Sequence, residues 1–165
     1  MAERADNPPP ALVARLESVF LKSGGDLPEL YKALIDAPEL WNAAPTKFKT
    51  PWEWCLSAFR ALGVPDVPDQ ALVAMLAELG QPVWRPGSPA GYDDVAVRWA
   101  GPDALMKRVE VAQRLAGRSD SDARQLAEQL FGAALSPETR GAIAQAEGKP
   151  QALALLLVSP EFMRR

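Results

Sequence analysis

The sequence predicts an all-α fold, an irregular bundle of about seven or eight helices with one long ordered loop rich in aromatic residues and prolines. Three observations support this prediction. Apolar residues recur at intervals of three and four along most of the chain, as one face of a helix requires. Proline or a capping residue precedes most of these stretches, and glycine follows several of them. No segment alternates apolar and polar residues with the period of two that a half-buried strand shows.

Two helices are predicted near the amino end. We expect residues 1–9 to be a disordered tail or one added for expression, and residues 10–165 to be a single helical domain, a C-terminal fragment of a longer protein. Ser23-Gly24-Gly25 ends the first helix, because glycine readily takes the left-handed conformation. Asp26 is a candidate N-cap for the second helix, which stops before Pro38. The expected core-facing residues are Leu12, Leu16, Val19 and Phe20, then Leu27, Leu30, Tyr31, Leu34 and Ile35.

The middle of the chain contains the clearest helix start. Thr50 can cap the helix, Pro51 suits its first position, and Glu53 completes a capping box three residues after the cap. A further helix is predicted from about residue 68 to 79. The side chains that we expect these two helices to bury are Trp52, Cys55, Leu56, Phe59 and Leu62, then Leu72, Val73, Leu76 and Leu79.

Four helices are predicted in the last third of the chain. Two begin at Pro102 and Asp120, and two shorter ones cover about 137–146 and 150–158. The run Ser119-Asp120-Ser121-Asp122 is expected to cap the second of them, because its side-chain oxygens can accept hydrogen bonds from free amides at a helix start.

The composition excludes several kinds of function. The net charge of -3, with basic residues scattered among acidic ones, argues against a nucleic-acid partner. The chain has no histidine, which removes the commonest general base and the commonest zinc ligand. No apolar run is long enough to span a membrane, and the N-terminus lacks the apolar region of a signal peptide. The cellular compartment is left open.

Several short motifs follow one another in a specific order. They are Phe20–Leu27 (FLKSGGDL), Ala37–Trp41 (APELW), Lys47–Pro51 (KFKTP), Leu79–Pro86 (LGQPVWRP), Gly91-Tyr92, Trp99 and Ser159–Arg165 (SPEFMRR). In this order the set resembles the C-terminal part of a large bacterial family catalogued as a domain of unknown function, number eighteen hundred. The resemblance covers about residue 10 to the end, and it implies a tryptophan at the position where this chain has Tyr92.

The resemblance implies properties of the whole protein rather than of particular residues here. Full-length relatives are a few hundred residues longer at the N-terminus, are often exported, and are frequently encoded beside a sulfatase-like family, also of unknown function. The histidine-bearing motif associated with the family lies upstream of the matched region. This chain has no histidine, so none of that motif is carried over to it.

The loop from residue 81 to 99 is the best candidate for a ligand or partner surface. It combines aromatic faces, carboxylates and a guanidinium, which suits a sugar or peptide groove. The favoured interpretation is structural: backbone without regular hydrogen bonds needs other anchors, and large aromatics supply them. The residues concerned are Trp84, Arg85, Tyr92, Asp93, Asp94 and Trp99.

Other candidates have structural interpretations as well. The adjacent pair Asp93-Asp94 would point its carboxylates to opposite sides of an extended segment, so the two would not share a site. Cys55 is expected to be a buried, unreactive thiol, and Lys47 and Lys49 are expected to flank a buried Phe48 and to remain solvated. We assign no catalytic residue, no metal ligand and no cofactor.

Three functions follow in order of support. The first is a non-catalytic helical module that supports or docks a partner domain, either the N-terminal remainder of the parent protein or another protein. The second is a carbohydrate- or peptide-binding domain of an exported bacterial system that uses the 81–99 loop. The third is a hydrolase, which would have to take its acid and base from carboxylates alone. A contiguous exposed apolar patch would favour the first.

Overall fold

The computed structural model describes residues 8–41 and 47–165, and within these it contains ten α-helices and no named strand. The predicted all-α fold is confirmed. Residues 1–7 of the predicted tail lie outside the described residues. The helices are α1 (Pro10–Ser23), α2 (Leu27–Ile35), α3 (Pro38–Trp41), α4 (Pro51–Ala61), α5 (Asp69–Glu78), α6 (Ala96–Trp99), α7 (Pro102–Ala116), α8 (Ala123–Phe131), α9 (Pro137–Gln145) and α10 (Lys149–Leu157).

The chain forms two compact units, residues 1–47 and residues 48–165. In the amino-terminal unit α1 and α2 pack together as a hairpin. Gly24 and Gly25 make the turn with φ of 66° and 88°, a conformation in which glycine has no side chain to clash. The buried residues of this unit include Leu12, Ala37 and Leu40, with Leu16 and Leu34 packed against them.

In the carboxy-terminal unit, residues 48–165, α4 begins as the sequence predicts. The Glu53 amide donates to Thr50 Oγ1 at 3.4 Å, and the Thr50 amide donates to Glu53 Oε2 at 2.9 Å, which completes the capping box. The buried faces differ from the prediction: Leu56 and Leu62 are only partly buried, and Val73 of α5, also expected in the core, is 46% exposed. Trp52 is exposed, whereas Trp54 is fully buried and donates its Nε1 hydrogen to the Leu157 carbonyl at 2.9 Å. Cys55 and Phe59 are buried as predicted.

The last helix lies at the centre of the carboxy-terminal unit. α10 packs against α7, α8 and α9, and its Leu153, Leu156 and Leu157 are fully buried. α8 starts later than predicted, at Ala123, because Asp122 is the residue that caps it. The Asp122 carboxylate accepts from the amides of Arg124 and Gln125, both at 2.9 Å.

The C-terminal residues are fixed to the segment that precedes α4. Phe48 and Arg164 form an antiparallel bridge, and the Lys49 amide donates to the Met163 carbonyl at 2.8 Å. Two of the short motifs of the sequence, Lys47–Pro51 and Ser159–Arg165, are thereby joined at this bridge. None of the helices in the described ranges has the length and apolar character needed to cross a bilayer.

Candidate functional site

The predicted 81–99 loop ends in the single helical turn α6, and aromatic residues anchor this end. Trp99 is 2% exposed, and its Nε1 hydrogen bonds to the Asp93 carbonyl at 2.7 Å. The ring of Tyr92 lies 6.2 Å from that of Trp99, and the Tyr92 hydroxyl donates to the Pro82 carbonyl. Tyr92 therefore joins the two ends of the loop, and Trp99 fixes it to the core.

The amino end of the same loop presents Trp84 to solvent. Trp84 is 94% exposed, and its φ is 58°, in the left-handed region that residues other than glycine rarely adopt. The Arg85 amide donates to the Pro82 carbonyl at 3.3 Å, so Trp84 is the third residue of a four-residue turn. That position in a turn with positive φ normally takes glycine or asparagine. The turn holds an exposed indole on a strained backbone, beside the exposed Arg85.

The two aspartates of the loop have separate surroundings. Asp93 is exposed, and Oδ1 of Asp94 lies 3.7 Å from a terminal nitrogen of Arg165. The six predicted residues therefore do not form one groove. Trp84 and Arg85 face solvent, Trp99 belongs to the core, and Tyr92 is half-buried against it.

A buried guanidinium lies beside the bridge of Phe48 and Arg164. Arg108 is 1% exposed and its guanidinium carbon lies 4.7 Å from the centre of the Phe48 ring. Its terminal nitrogens donate to the Lys49 carbonyl at 2.6 Å and to the Met163 sulfur at 3.3 Å. Burial lowers the pKa of Arg108 to about 10. The burial of Arg108 was not predicted from the sequence, because an arginine in an amphipathic helix is ordinarily on the solvated face.

Lys49 is less solvated than the sequence predicts. Its ammonium nitrogen lies 4.7 Å from the centre of the Phe162 ring. Burial lowers the pKa of Lys49 to about 8, the neighbouring Arg108 acts in the same direction, and Glu53 opposes it. Lys47 is buried too. The expectation that both lysines are solvated is wrong, because the side chain of Lys47 is buried and that of Lys49 is partly buried.

A carboxylate in the C-terminal motif caps α9. Glu161 accepts from the Ser136 amide at 3.0 Å and from the Thr139 hydroxyl at 2.9 Å. Burial opposes the ionisation of Glu161, but these hydrogen bonds outweigh it and lower its pKa to about 2. The group is an ionised cap rather than a general acid, which would need a raised pKa.

The candidates for reactive chemistry are not activated. Cys55 is fully buried, and burial raises the pKa of its thiol to about 12 in spite of the nearby Arg108. Across residues 8–41 and 47–165, no group of three or more His, Cys, Asp or Glu residues is placed to hold a metal ion. A groove of about 290 Å³ between α7 and α10 is lined by Val109, Gln113, Leu155 and Val158 among others, without a charged side chain.

The hairpin of α1 and α2 leaves large apolar side chains uncovered. No residue of α2 is buried, although its sequence is amphipathic. Leu21 of α1 is 71% exposed. We call six other residues, five on α1 and α2 and one on α3, the hairpin face, and they are between 47% and 58% exposed. They are Val13, Phe20, Leu27, Tyr31, Ile35 and Trp41.

The hairpin face corrects part of the sequence analysis. Phe20, Leu27, Tyr31 and Ile35 were expected to point into a core, yet about half of each remains exposed. The described part of the amino-terminal unit has two full helices and one single turn. Leu16 and Leu34 pack against the buried Leu12, Ala37 and Leu40, and the rest of the broad apolar stripe of α2 lies outside this cluster.

Comparison with known proteins identifies the family to which the chain belongs. Searches of the curated proteins and of the solved structures found no match. The model of one protein family matches residues 4–164, nearly the whole chain. The motifs that join at the bridge of Phe48 and Arg164, and those of the 81–99 loop, lie within the match. The chain belongs to the family described as "Protein of unknown function (DUF1800)".

Proposed function

We propose that this chain is a non-catalytic helical module that docks a protein partner through the hairpin face. The observation that carries the proposal is the exposure of Tyr31, Ile35 and their neighbours at about half of each side chain. Burying a large apolar side chain fully contributes about 1.5–3 kcal/mol. The six half-exposed residues therefore retain a driving force for association of several kcal/mol in total.

The rest of the molecule is consistent with a scaffold role. Arg108 and Glu161, two of the charged groups with shifted pKa values, bond to backbone atoms of distant segments, and the Lys49 ammonium lies over the Phe162 ring. The partner is a protein surface, because an extended apolar helix face is recognised by side chains that pack into it.

The test measures association of the chain in two arms. In one arm the chain is examined alone, and in the other it is mixed with the N-terminal remainder that the family resemblance implies, produced as a separate polypeptide. Analytical ultracentrifugation should detect a complex in at least one arm. Tyr31→Glu should weaken that complex at least tenfold, because it places a charge in the buried part of the interface.

Val73→Glu is the matched control. Val73 is 46% exposed on α5, which belongs to the carboxy-terminal unit, so the variant adds the same charge at a similar exposure away from the hairpin face. The control should bind as the unaltered chain does. Absence of a complex in both arms, or equal losses in the two variants, would refute the docking function.

A second function is favoured by Trp84. An exposed indole held on a strained turn suits the stacking of a carbohydrate or peptide ligand, as a binding domain of an exported bacterial system requires. Titration with oligosaccharides and short peptides, followed by tryptophan fluorescence, tests it. A ligand response that disappears in Trp84→Gly would support this function, and no response to any ligand would exclude it for the compounds used.

A further inference from the structure

This inference rests on the proposed docking function and names the partner. We infer that the hairpin face binds the same face of a second copy of this chain. The two hairpins complete a four-helix bundle with Glu17 of each copy beside Lys32 of the other. Three observations support it: the position of the face on the hairpin, the placement of its charges, and its area.

Helical geometry places the members of the hairpin face on α1 and α2 on one side of the hairpin. In each helix they directly follow inward-facing residues: Val13 follows Leu12 in α1, and Ile35 follows Leu34 in α2. One residue is a rotation of about 100° in the same sense in both helices. A short turn makes the two helices antiparallel, so equal rotations bring both exposed sets to the same side.

Two helices with one uncovered apolar side form half of a bundle. In a four-helix bundle each helix has two neighbours, and apolar residues face both of them. Here Leu12 and Leu34 lie between the two helices of one hairpin. The hairpin face is exposed and can pack against the helices of a second hairpin. A twofold axis parallel to the helices places α1 of one copy next to α2 of the other, and neighbouring helices are then antiparallel throughout.

The charges at the edge of the hairpin face are complementary in that arrangement. Glu17 lies six residues before the end of α1 at Ser23, and Lys32 lies five residues after the start of α2 at Leu27. At about 1.5 Å per residue, the two are at nearly the same height above the turn. Both are exposed, and neither forms an ion pair within the described residues.

The twofold axis decides which charges meet. An axis parallel to the helices pairs Glu17 with Lys32 of the other copy, and does so twice. An axis that crosses the helices would instead bring each charge towards its own counterpart, which repels. Charged groups at the rim of an interface fix its register more than its strength. The sequence of the hairpin is therefore compatible with one dimer geometry.

The area of the hairpin face predicts a weak dimer. Half-exposed large side chains contribute roughly 100 Å² each, so six of them bury about 600 Å² per copy. That value is at the low end for specific interfaces, which gives an expected dissociation constant on the order of micromolar. A dimer of that strength exchanges quickly and leaves the face accessible at low concentration.

The test uses single charge reversals in the full chain. Glu17→Lys gives a copy with lysine at both positions 17 and 32, and Lys32→Glu gives a copy with glutamate at both. Each variant alone should dimerise about tenfold more weakly, because two attractive pairs become repulsive. Mixed in equal amounts, they should form a heterodimer at least as strong as the original dimer, measured by sedimentation with one variant fluorescently labelled.

Two controls keep the outcomes separate. The double variant Glu17→Lys/Lys32→Glu restores both pairs and should dimerise like the unaltered chain, and circular dichroism should show all variants folded. A chain that stays monomeric at about 100 times the expected micromolar constant overturns the inference. Equal affinities for the mixed and single variants overturn it as well. Binding to the N-terminal remainder by a monomeric chain would refute only the self-association and leave the docking function intact.

Discussion

Trp99 and Trp84 are two tryptophans in one loop with opposite environments, and replacing each of them tests how the loop is held. Trp99 is 2% exposed, packs in the main core and bonds to the Asp93 carbonyl. Trp99→Ala removes that packing and leaves a cavity, which costs about 3–5 kcal/mol for a buried tryptophan. The loss is a large part of the roughly 5–15 kcal/mol that holds a domain together.

Trp84 should respond in the opposite direction. It is 94% exposed, and its backbone is left-handed with φ of 58°. Relief of that strain in Trp84→Gly is worth about 1–2 kcal/mol. Glycine also gains more freedom in the unfolded chain, which offsets about 0.5–1 kcal/mol. We expect a net change between zero and about 1.5 kcal/mol of stabilisation for Trp84→Gly. Trp84→Ala keeps the strain and should stay within about 0.5 kcal/mol of the unaltered chain.

Denaturant and thermal melts followed by circular dichroism measure both effects. At about 3 °C per kcal/mol for a protein of this size, Trp99→Ala should lower the Tm by about 10–15 °C. Trp84→Gly should leave it unchanged or raise it slightly. A Trp99→Ala protein that melts like the unaltered chain would refute the anchoring of the loop. A large loss of stability in Trp84→Gly would show that the exposed indole has intramolecular contacts.

Three further predictions follow from the titratable groups. Cys55 should resist labelling by Ellman's reagent at pH 8 in the native state, because its pKa of about 12 leaves roughly one thiol in ten thousand ionised, and it should react fully in denaturant. Rapid native labelling would contradict its burial. Glu161→Gln should lower the free energy of unfolding by about 1 kcal/mol at pH 7, since a hydrogen-bonded cap is weakened. The pKa of Glu161 is lowered from 4.5 to about 2, so the carboxylate stabilises the fold above pH 4.5 and this contribution is lost as the pH falls to about 2. The difference between the two proteins should therefore shrink across that window in urea titrations, and a constant difference would count against the cap. The pKa of Lys49 is lowered from 10.5 to about 8, so the folded protein binds fewer protons than the unfolded chain between these values. The free energy of unfolding of the unaltered chain, relative to that of Lys49→Met, should rise from pH 8 to 10.5. If this difference falls instead, the folded state favours the charged ammonium over the neutral amine.

The sequence by itself determined the fold class and most of the helix starts. Capping and helical periodicity are local, so Thr50, Pro51 and Glu53 could be recognised without knowing what the helix packs against. The burial of Cys55 followed from the same periodicity. The expectation that aromatics anchor the 81–99 loop agrees with the contacts of Trp99 and Tyr92 but is wrong for Trp84, which is 94% exposed. Membership of the family was recognisable from the order of the short motifs, because it depends on residue identity alone.

The tertiary structure decided which apolar and charged side chains are buried. Periodicity shows that Tyr31 and Ile35 share a face of α2, but it does not show whether another element covers that face. Trp52 and Trp54 differ by two positions in α4, and only the packing of α10 decided that Trp54 is the buried one. Arg108 and Lys49 are buried because Met163 and Phe162 return to them from far along the chain. Contacts between residues distant in sequence leave no local pattern, so only the folded chain shows them.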